Sequence, residues 1–153
     1  MWSTAKPFNR VKDGDQTMMK SRRLRLLQIS LVGIGLLFLS LYPLMQVWPS
    51  GWVWQPRQYE YEQMMIGVYG TLGVFLLWAS RRPEAHLSLI WFTFWSSLVH
   101  GTIMGVQAIL DPVERMHLVG DVAALWLAVI LLGWLTPRGL IAQKWLSTEK
   151  FPR

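Results

Sequence analysis

Cysteine is absent from this sequence, and so are the common catalytic motifs. Without cysteine the chain has no disulfide bonds, no thiolate metal sites and no thiol nucleophile, while the redox compartment stays undetermined. The sequence also lacks a glycine-rich phosphate loop, a Gly-x-Ser-x-Gly elbow and a His-Glu-x-x-His motif. Any chemistry must therefore come from residues outside these signatures.

Charge is scarce along most of the chain. Charged residues make up 16% of it, against 52% hydrophobic residues, and four long stretches carry at most one formal charge each. A helix of roughly 20 apolar residues crosses a ~30 Å hydrocarbon core. The pattern predicts an all-α, polytopic membrane protein, a bundle of four transmembrane helices at about residues 26–48, 60–80, 87–110 and 113–135.

The few cations are distributed unevenly between the two sides of these spans. Of 15 Lys and Arg residues, 13 precede the first span, link the second to the third or follow the fourth, which leaves Arg57 and Arg115 on the other side. The positive-inside rule then places both termini in the cytoplasm of a bacterial inner membrane. The predicted organisation is a basic tail at 1–22, a membrane domain at 23–137, and a second tail at 138–153 with a short amphipathic helix.

Positive charge dominates overall, with a formal net charge of +6 and a pI near 10.1. A nucleic-acid interface would cluster basic residues on a face with base-reading groups. Here they flank apolar runs, so the expected partners are the lipid bilayer with its anionic headgroups, and no nucleic acid. An aromatic belt is expected at the outer surface, formed by Trp48, Trp52, Trp54, Tyr59 and Tyr61.

Small residues recur at every fourth position in two spans. They are Ser97, Gly101 and Gly105 in the third, and Gly120, Ala124 and Ala128 in the fourth. Such stripes let two helix backbones approach closely. They predict that the last two spans form a tight antiparallel hairpin. Gly67, Gly70 and Gly73 in the second span share no single narrow face.

The turn between the last two spans has helix-start signals. Asp111 has the features of an N-cap, Pro112 those of a first helical residue, and Glu114 those of the carboxylate that completes a capping box. If the fourth helix begins there, equal steps along both helices predict three facing pairs: His100 with Asp121, Met104 with His117, and Gln107 with Glu114. The first pair would lie roughly 15 Å from the turn, near the bilayer midplane.

Ionisable residues inside spans are costly and therefore informative. The outer half of the predicted bundle gathers a candidate polar cluster of Glu62, His100, Gln107, His117 and Asp121. Three hypotheses apply to it. It is a hydrogen-bonded structural cluster, a pocket for a lipophilic ligand or a proton-coupled step, or a site for Zn, Fe or Mn.

Four stretches resemble small uncharacterised bacterial proteins of the DoxX-like kind. They are residues 61–77, 79–83, 95–101 and 117–121, which include Tyr-Glu-Gln-Met-Met-Ile-Gly-Val-Tyr and Arg-Arg-Pro. The similarity covers about residues 61–135 and implies a compact bundle of four membrane helices. Some such proteins are associated with quinone or thiol oxidation complexes, and this chain has no cysteine for thiol chemistry.

The function expected from these features is that of an accessory or assembly subunit in a larger membrane complex, with other membrane subunits as partners. The alternative is a membrane oxidoreductase, or a protein that binds a lipophilic ligand or metal, using Glu62, His100, His117 and Asp121. Transport is a third class, although four spans leave little room for alternating access without oligomers. No particular cofactor or catalytic residue is indicated.

Overall fold

The computed structural model describes the backbone of residues 8–136 and the side chains of residues 18–136. Within these residues the chain is all-helical and contains no strand. The α-helices are α1 (Phe8–Leu39), α2 (Leu41–Val47), α3 (Tyr59–Ala79), α4 (Leu87–Leu110) and α5 (Asp121–Leu135). Three 3-10 segments connect them: Pro49–Gly51, Pro83–His86 and Pro112–Leu118.

The first helix bends where the sequence predicted one uninterrupted span. α1 and α2 meet at Ser40 at an angle of 58°. Pro43 explains the break, because it lacks the N–H that would bond to Leu39 and its ring clashes with that carbonyl. Proline is tolerated in the first turn of a new helix, and α2 starts two residues earlier.

Length and composition make several of these helices compatible with a membrane. Three segments of residues 8–136 are long and apolar enough to span one: Tyr59–Ala79, Pro83–Leu110 and Pro112–Leu135. The number rises to four if the bent pair Met18–Leu39 and Leu41–Val47 counts as one span. Large apolar side chains such as Val68, Phe92 and Ile130 are more than half exposed on these helices, as expected for surfaces that face lipid.

The helices pack in the order α3, α1, α5, α4, with close contacts between neighbours in that series. α3 and α4 close the circle with few direct contacts. One half of the molecule, which we call the dry half, holds an apolar core. Its buried residues are Leu27, Leu31, Ile34, Phe38, Leu76, Ile90, Ala128, Leu132 and Leu135.

The crossing of α1 and α3 depends on two glycines. A Cβ placed on Gly35 would lie 2.9 Å from the carbonyl oxygen of Gly73, and one placed on Gly73 would lie 2.7 Å from that of Gly35. The two backbones therefore touch, which no larger residue would permit. Gly67 and Gly70 have open space around them, so only Gly73 of the three α3 glycines makes a packing contact of this kind.

α4 and α5 form an antiparallel pair, and the α4 stripe lies in their interface. Gly101 faces Leu125, with 3.1 Å from an added Cβ to the Leu125 Cβ, and Gly105 faces Val122 at 3.6 Å. The three small residues of the fourth span do not form one stripe against α4. Gly120 is the N-cap of α5, and its carbonyl oxygen accepts from the backbone N–H of Ala124 at 3.1 Å.

The three residues of that second stripe point to different neighbours. Gly120 lies against the backbone of Gly51. Ala124 lines a cavity, and Ala128 is part of the dry half. The chain thus uses the small residues of this segment at three separate places.

An arginine of α1 donates hydrogen bonds to the last carbonyl groups of α5. Arg23 Nε donates to the carbonyl oxygen of Leu135 at 3.2 Å, and its Nη2 donates to that of Trp134. The last carbonyls of a helix lack partners within the helix, and a cation there also complements the helix dipole. We call this end of the bundle, which also carries Pro83–His86, the basic end.

Two predicted segments fall at the edges of the described residues. α1 extends back to Phe8, so residues 8–22 of the expected tail are helical in the structure. The amphipathic helix expected within residues 138–153 lies outside the described residues, as do residues 1–7.

Candidate functional site

The polar residues of interest lie at the end opposite the basic end. This connector end carries the α2–α3 connection, residues 48–58, and the 3-10 segment Pro112–Leu118. Asp111 is the N-cap of that segment, since its Oδ1 accepts from the backbone N–H of Val113 at 2.9 Å, and Pro112 is its first residue. The helix-start signals of Asp111 and Pro112 are thus confirmed, but the first seven residues after Asp111 are 3-10 rather than α-helical.

The 3-10 geometry redirects Glu114, so the predicted capping box is wrong. In a 3-10 helix the side chains at i and i+3 eclipse one another. Glu114 therefore lies beside His117 instead of reaching back to the N-cap, with its Oε2 3.1 Å from His117 Nε2. Both side chains are buried, His117 completely.

His117 is the centre of a compact polar group that we call the His117 cluster: Trp54, Glu114, His117 and Asp121. The His117 Nδ1 and Asp121 Oδ2 are hydrogen-bonded at 2.9 Å. Trp54 Nε1 donates to the same oxygen at 2.9 Å, and its ring lies over the imidazole with centroids 4.3 Å apart. Asp121 Oδ1 accepts from the backbone N–H of Val122 at 2.7 Å.

The two carboxylates of the cluster differ in how they hold the imidazole. Asp121 makes an aligned hydrogen bond to Nδ1. The Nε2 of His117 lies 3.1 Å from Glu114 Oε2 but lacks hydrogen-bond alignment with it. The buried imidazole separates the two acids, and loss of the ring would leave them facing each other.

The His117 cluster also fixes the α2–α3 connection to the bundle. The backbone N–H of Gln55 donates to Glu114 Oε1 at 2.8 Å. Four residues earlier in that connection, the carbonyl of Gly51 contacts Gly120, where a Cβ would overlap the oxygen. The connection is held over the end of the bundle by one side-chain acceptor, one indole hydrogen bond and one backbone contact.

Beneath this connection lies a cavity of about 500 Å³, which we call the connector cavity. All five α-helices and the α2–α3 connection contribute to its walls. Its lining residues are Leu37, Phe38, Leu41, Met45, Trp52, Trp54, Gln55, Pro56, Gln58, Tyr61, Glu62, Met65, Ile66, Tyr69, His100, Ile103, Met104, Gln107, Asp121, Ala124 and Leu125. The volume falls within the range of small-molecule sites, ~300–1,000 Å³.

Two buried polar atoms of the cavity wall lack partners within the described residues. Glu62 Oε2 pairs with Arg57 Nε at 3.2 Å, whereas Glu62 Oε1 is buried without a hydrogen bond. Trp52 Nε1 is likewise buried and unpaired. An unsatisfied buried polar atom costs about 1–3 kcal/mol. Both atoms belong to residues that line the cavity, so the wall contains one unused acceptor and one unused donor, each covered by neighbouring atoms.

The predicted cluster is divided by the structure into two parts. Glu62, His100 and Gln107 line the connector cavity, and Asp121 lines it as well. His117 is enclosed in its own cluster and is not among the lining residues. His100 makes an edge contact to the ring of Tyr69, with centroids 5.8 Å apart.

The predicted direct pairing of His100 with Asp121 is wrong in register. Gly105 faces Val122 across the α4–α5 interface, so Asp121 lies near the level of Gly105, more than one helical turn from His100. The reason is that residues 112–120 pack against Pro49–Gly51 and do not continue α5 toward the turn. The partners of Asp121 are His117 and Trp54.

Within residues 18–136, no group of three His, Asp or Glu side chains is placed to hold one metal ion. A metal site needs its ligands to converge on a single point. The two carboxylates of the His117 cluster instead contact opposite nitrogens of one ring. His117 and Asp121 are hydrogen-bonded to each other, whereas Glu62, His100 and Gln107 line the cavity.

Sequence reasoning missed Trp54, Trp52 and the role of Glu114. Both tryptophans were assigned to an interfacial belt, because an aromatic residue in a connection has no periodicity that would reveal an inward direction. The available signal was Pro49 and Gly51, which punctuate the connection and favour a fold back onto the bundle. For Glu114, the spacing of three from His117 was visible in the sequence.

Comparison with known proteins gives one result. Neither the curated proteins nor the solved structures contain a match to this chain. A family profile does match, over residues 21–147, and this range includes every helix from α2 to α5 and most of α1. Because the match covers far more than half of the sequence, the chain belongs to DUF6632, a family of unknown function.

Proposed function

We propose that this protein is a membrane protein that binds a lipophilic small molecule in the connector cavity. The observation that carries the proposal is the cavity itself, about 500 Å³ of space beneath the α2–α3 connection. Protein interiors are close-packed and rarely leave voids larger than a water molecule. A space of this size, with mostly apolar walls and a few convergent polar groups, has the properties of a ligand site.

The free polar atoms of the wall support a ligand over a packing defect. Glu62 Oε1 and Trp52 Nε1 are buried and lack partners in the described residues. Removing both from water without a hydrogen bond is unfavourable, and a polar group on a ligand would compensate. The apolar wall, with Phe38, Ile66 and Leu125 among its members, would cover the rest of such a molecule.

The arrangement of the helices supports entry from the bilayer. α1 packs along α3 and α5 packs along α4, whereas α3 and α4 make few contacts with each other. The cavity lies between these two helices and is lined by Met65 and Tyr69 on one side and by Ile103 and Met104 on the other. Ile103 is also 54% exposed, so the cavity wall continues onto the surface that faces lipid.

The test is native mass spectrometry of the protein purified in a mild detergent. We expect a retained small molecule, and its loss in Ala124→Phe, because Ala124 lines the cavity and the new ring would occupy it. Ala123→Phe is the matched control, since Ala123 is exposed on the same helix. The proposal fails if the wild type retains nothing and also takes up no N-phenyl-1-naphthylamine, a neutral fluorescent lipophile.

We further propose that the bent pair α1–α2 crosses the membrane, so that the protein is a four-helix bundle with both ends in the cytoplasm of a bacterial inner membrane. The 13 to 2 distribution of cations supports this orientation. Reporter fusions after Arg82 should indicate the cytoplasm and fusions after Gly51 the opposite side. An external signal after Arg82 would reverse the orientation.

The accessory role in a larger membrane complex stays a prediction from composition, as does the likeness to DoxX-like proteins. Exposed tryptophans on α3, α4 and α5, such as Trp78, Trp95 and Trp134, suit either lipid or another subunit. Co-purification of stoichiometric membrane partners would support the accessory role, and a monodisperse chain on its own would count against it.

A further inference from the structure

The charged residues that line the connector cavity are all acidic. Among its lining residues the carboxylates are Glu62 and Asp121, and no lysine or arginine belongs to the wall. Arg57 contacts Glu62, but it does so at Oε2 and its own side chain is 36% exposed. A ligand in the cavity therefore meets acidic groups and one imidazole, that of His100.

The two carboxylates are not equally available to a ligand. Asp121 is already engaged, since Oδ2 is hydrogen-bonded to Trp54 and His117 and Oδ1 accepts from the backbone of Val122. Glu62 keeps one buried oxygen without a partner in the described residues. Glu62 is thus the carboxylate of the wall with unused hydrogen-bonding capacity, and it lies in the first turn of α3 beside the α2–α3 connection.

Aromatic rings form a large part of the cavity wall. Trp52, Tyr61 and Tyr69 line the cavity along with Trp54 and Phe38. The faces of such rings attract cations, most strongly where water is excluded, and a carboxylate next to several rings is a common recognition site for organic cations. An anion would instead meet two carboxylates and no Lys or Arg among the lining residues, since Arg57 contacts Glu62 from outside the wall.

We propose that the ligand of the connector cavity is a lipophilic cation, an organic ion whose positive charge is carried within apolar groups. The inference rests on the proposed function, because it specifies the chemical class that this cavity binds. Glu62 supplies the negative charge, the aromatic rings supply the polarisable wall, and the gap between α3 and α4 admits a molecule that partitions into the membrane.

The experiment compares two probes of the same shape and opposite charge, tetraphenylphosphonium and tetraphenylborate. Binding of each to the full chain in lipid nanodiscs is measured by flow dialysis, with empty nanodiscs as the background. We expect saturable binding of tetraphenylphosphonium only. Glu62→Gln should weaken it by about tenfold or more, and Ala124→Phe should abolish it. Glu60→Gln is the matched control, because Glu60 is exposed in the same helical turn and does not line the cavity.

The remaining outcomes separate the inference from the proposed function. Tetraphenylborate binding that is equal or tighter, and lost in Ala124→Phe, would overturn the cation class and keep the cavity as a ligand site. Tetraphenylphosphonium binding that ignores Glu62→Gln but is lost in Ala124→Phe would do the same. If no probe shows binding sensitive to Ala124→Phe, the inference is wrong, and the retained molecule seen by mass spectrometry decides the proposed function separately. Should Glu62→Gln fail to fold, the comparison of the two probes on the wild type still decides the class.

Discussion

The two halves of this bundle share α1, α3, α4 and α5, with α2 present only in the connector half, and they are packed in opposite ways. In the dry half, leucines such as Leu31, Leu76 and Leu132 are fully buried against one another. In the connector half, the helices diverge around a cavity of about 500 Å³, and polar groups hold the end together. The difference indicates that the dry half provides stability while the connector half keeps space available, which is the division expected when a rigid scaffold supports a site.

The polar residues of the connector half also separate into two kinds. The His117 cluster is closed, since its groups contact one another and the α2–α3 connection. The cavity wall is open, since Glu62 Oε1 and Trp52 Nε1 lack partners in the described residues. Loss of any one member should therefore destabilise the closed cluster, whereas the open wall still has hydrogen-bonding groups that a ligand could use.

The largest difference in stability is expected between the single alanine variants of the two histidines. His117→Ala leaves Glu114 and Asp121 buried without their shared partner, and breaking such a group costs about 3–5 kcal/mol. His100→Ala removes a ring from the cavity wall and should cost roughly 1 kcal/mol or less. Equilibrium unfolding in mixed detergent micelles measures both, and similar losses for the two variants would abolish the distinction between cluster and wall.

A pair of leucines on α1 compares the two halves directly. Leu31 is fully buried in the dry half and Leu37 lines the connector cavity. Leu31→Ala should reduce the free energy of unfolding by about 2–4 kcal/mol, because it leaves a void in a packed core. Leu37→Ala only enlarges an existing space, so we expect about 1 kcal/mol. A reversed order of the two values would show that the cavity is filled by protein in solution.

Two glycines test the contact that closes the connector end. A Cβ on Gly120 would overlap the carbonyl oxygen of Gly51, whereas Gly67 has nothing within 4 Å. Gly120→Ala should cost about 1–3 kcal/mol, because backbone must move to relieve the overlap. Gly67→Ala should be neutral or slightly stabilising, since alanine is the better helix former. Thermal unfolding of both variants suffices, and a neutral Gly120→Ala would mean that the connection does not rest on α5.

The smallest effect is expected at Trp54. Trp54→Phe keeps an aromatic ring over His117 but removes the hydrogen bond to Asp121, a loss of about 0.5–1.5 kcal/mol. Trp134→Phe is the control, because Trp134 is 72% exposed near the basic end. If both substitutions leave stability unchanged, the indole does not hold the connection to the bundle.

The sequence predicted the helices whose signals are local and strong. The second and third spans were expected at 60–80 and 87–110, and α3 and α4 run from Tyr59 to Ala79 and from Leu87 to Leu110. Hydropathy and length determine such segments almost alone. The interruption at Ser40 had a visible signal in Pro43, but proline is also tolerated in membrane helices, so the bend could not be distinguished from a continuous span.

Residues of the candidate site were predicted from the sequence, but their arrangement in space was not. Asp111 and Pro112 mark a helix start, but these signals are the same for α and 3-10 geometry, so the register of α5 could not follow from them. Trp54 and Gln55 reach the His117 cluster from a connection 59 to 67 residues away in sequence. Contacts of that separation depend on the packing of the whole bundle, which local patterns do not encode.

The central claim is that the connector half is hollow while the dry half is packed, and two alanines one turn apart on α5 test it most directly. Ala124 lines the cavity and Ala128 is fully buried in the dry half. The chain has no cysteine, so Ala124→Cys and Ala128→Cys each introduce a single thiol. With both proteins in nanodiscs, we expect N-ethylmaleimide to modify Ala124→Cys at least about tenfold faster than Ala128→Cys. Equal rates, or a faster reaction at Ala128→Cys, would contradict the account.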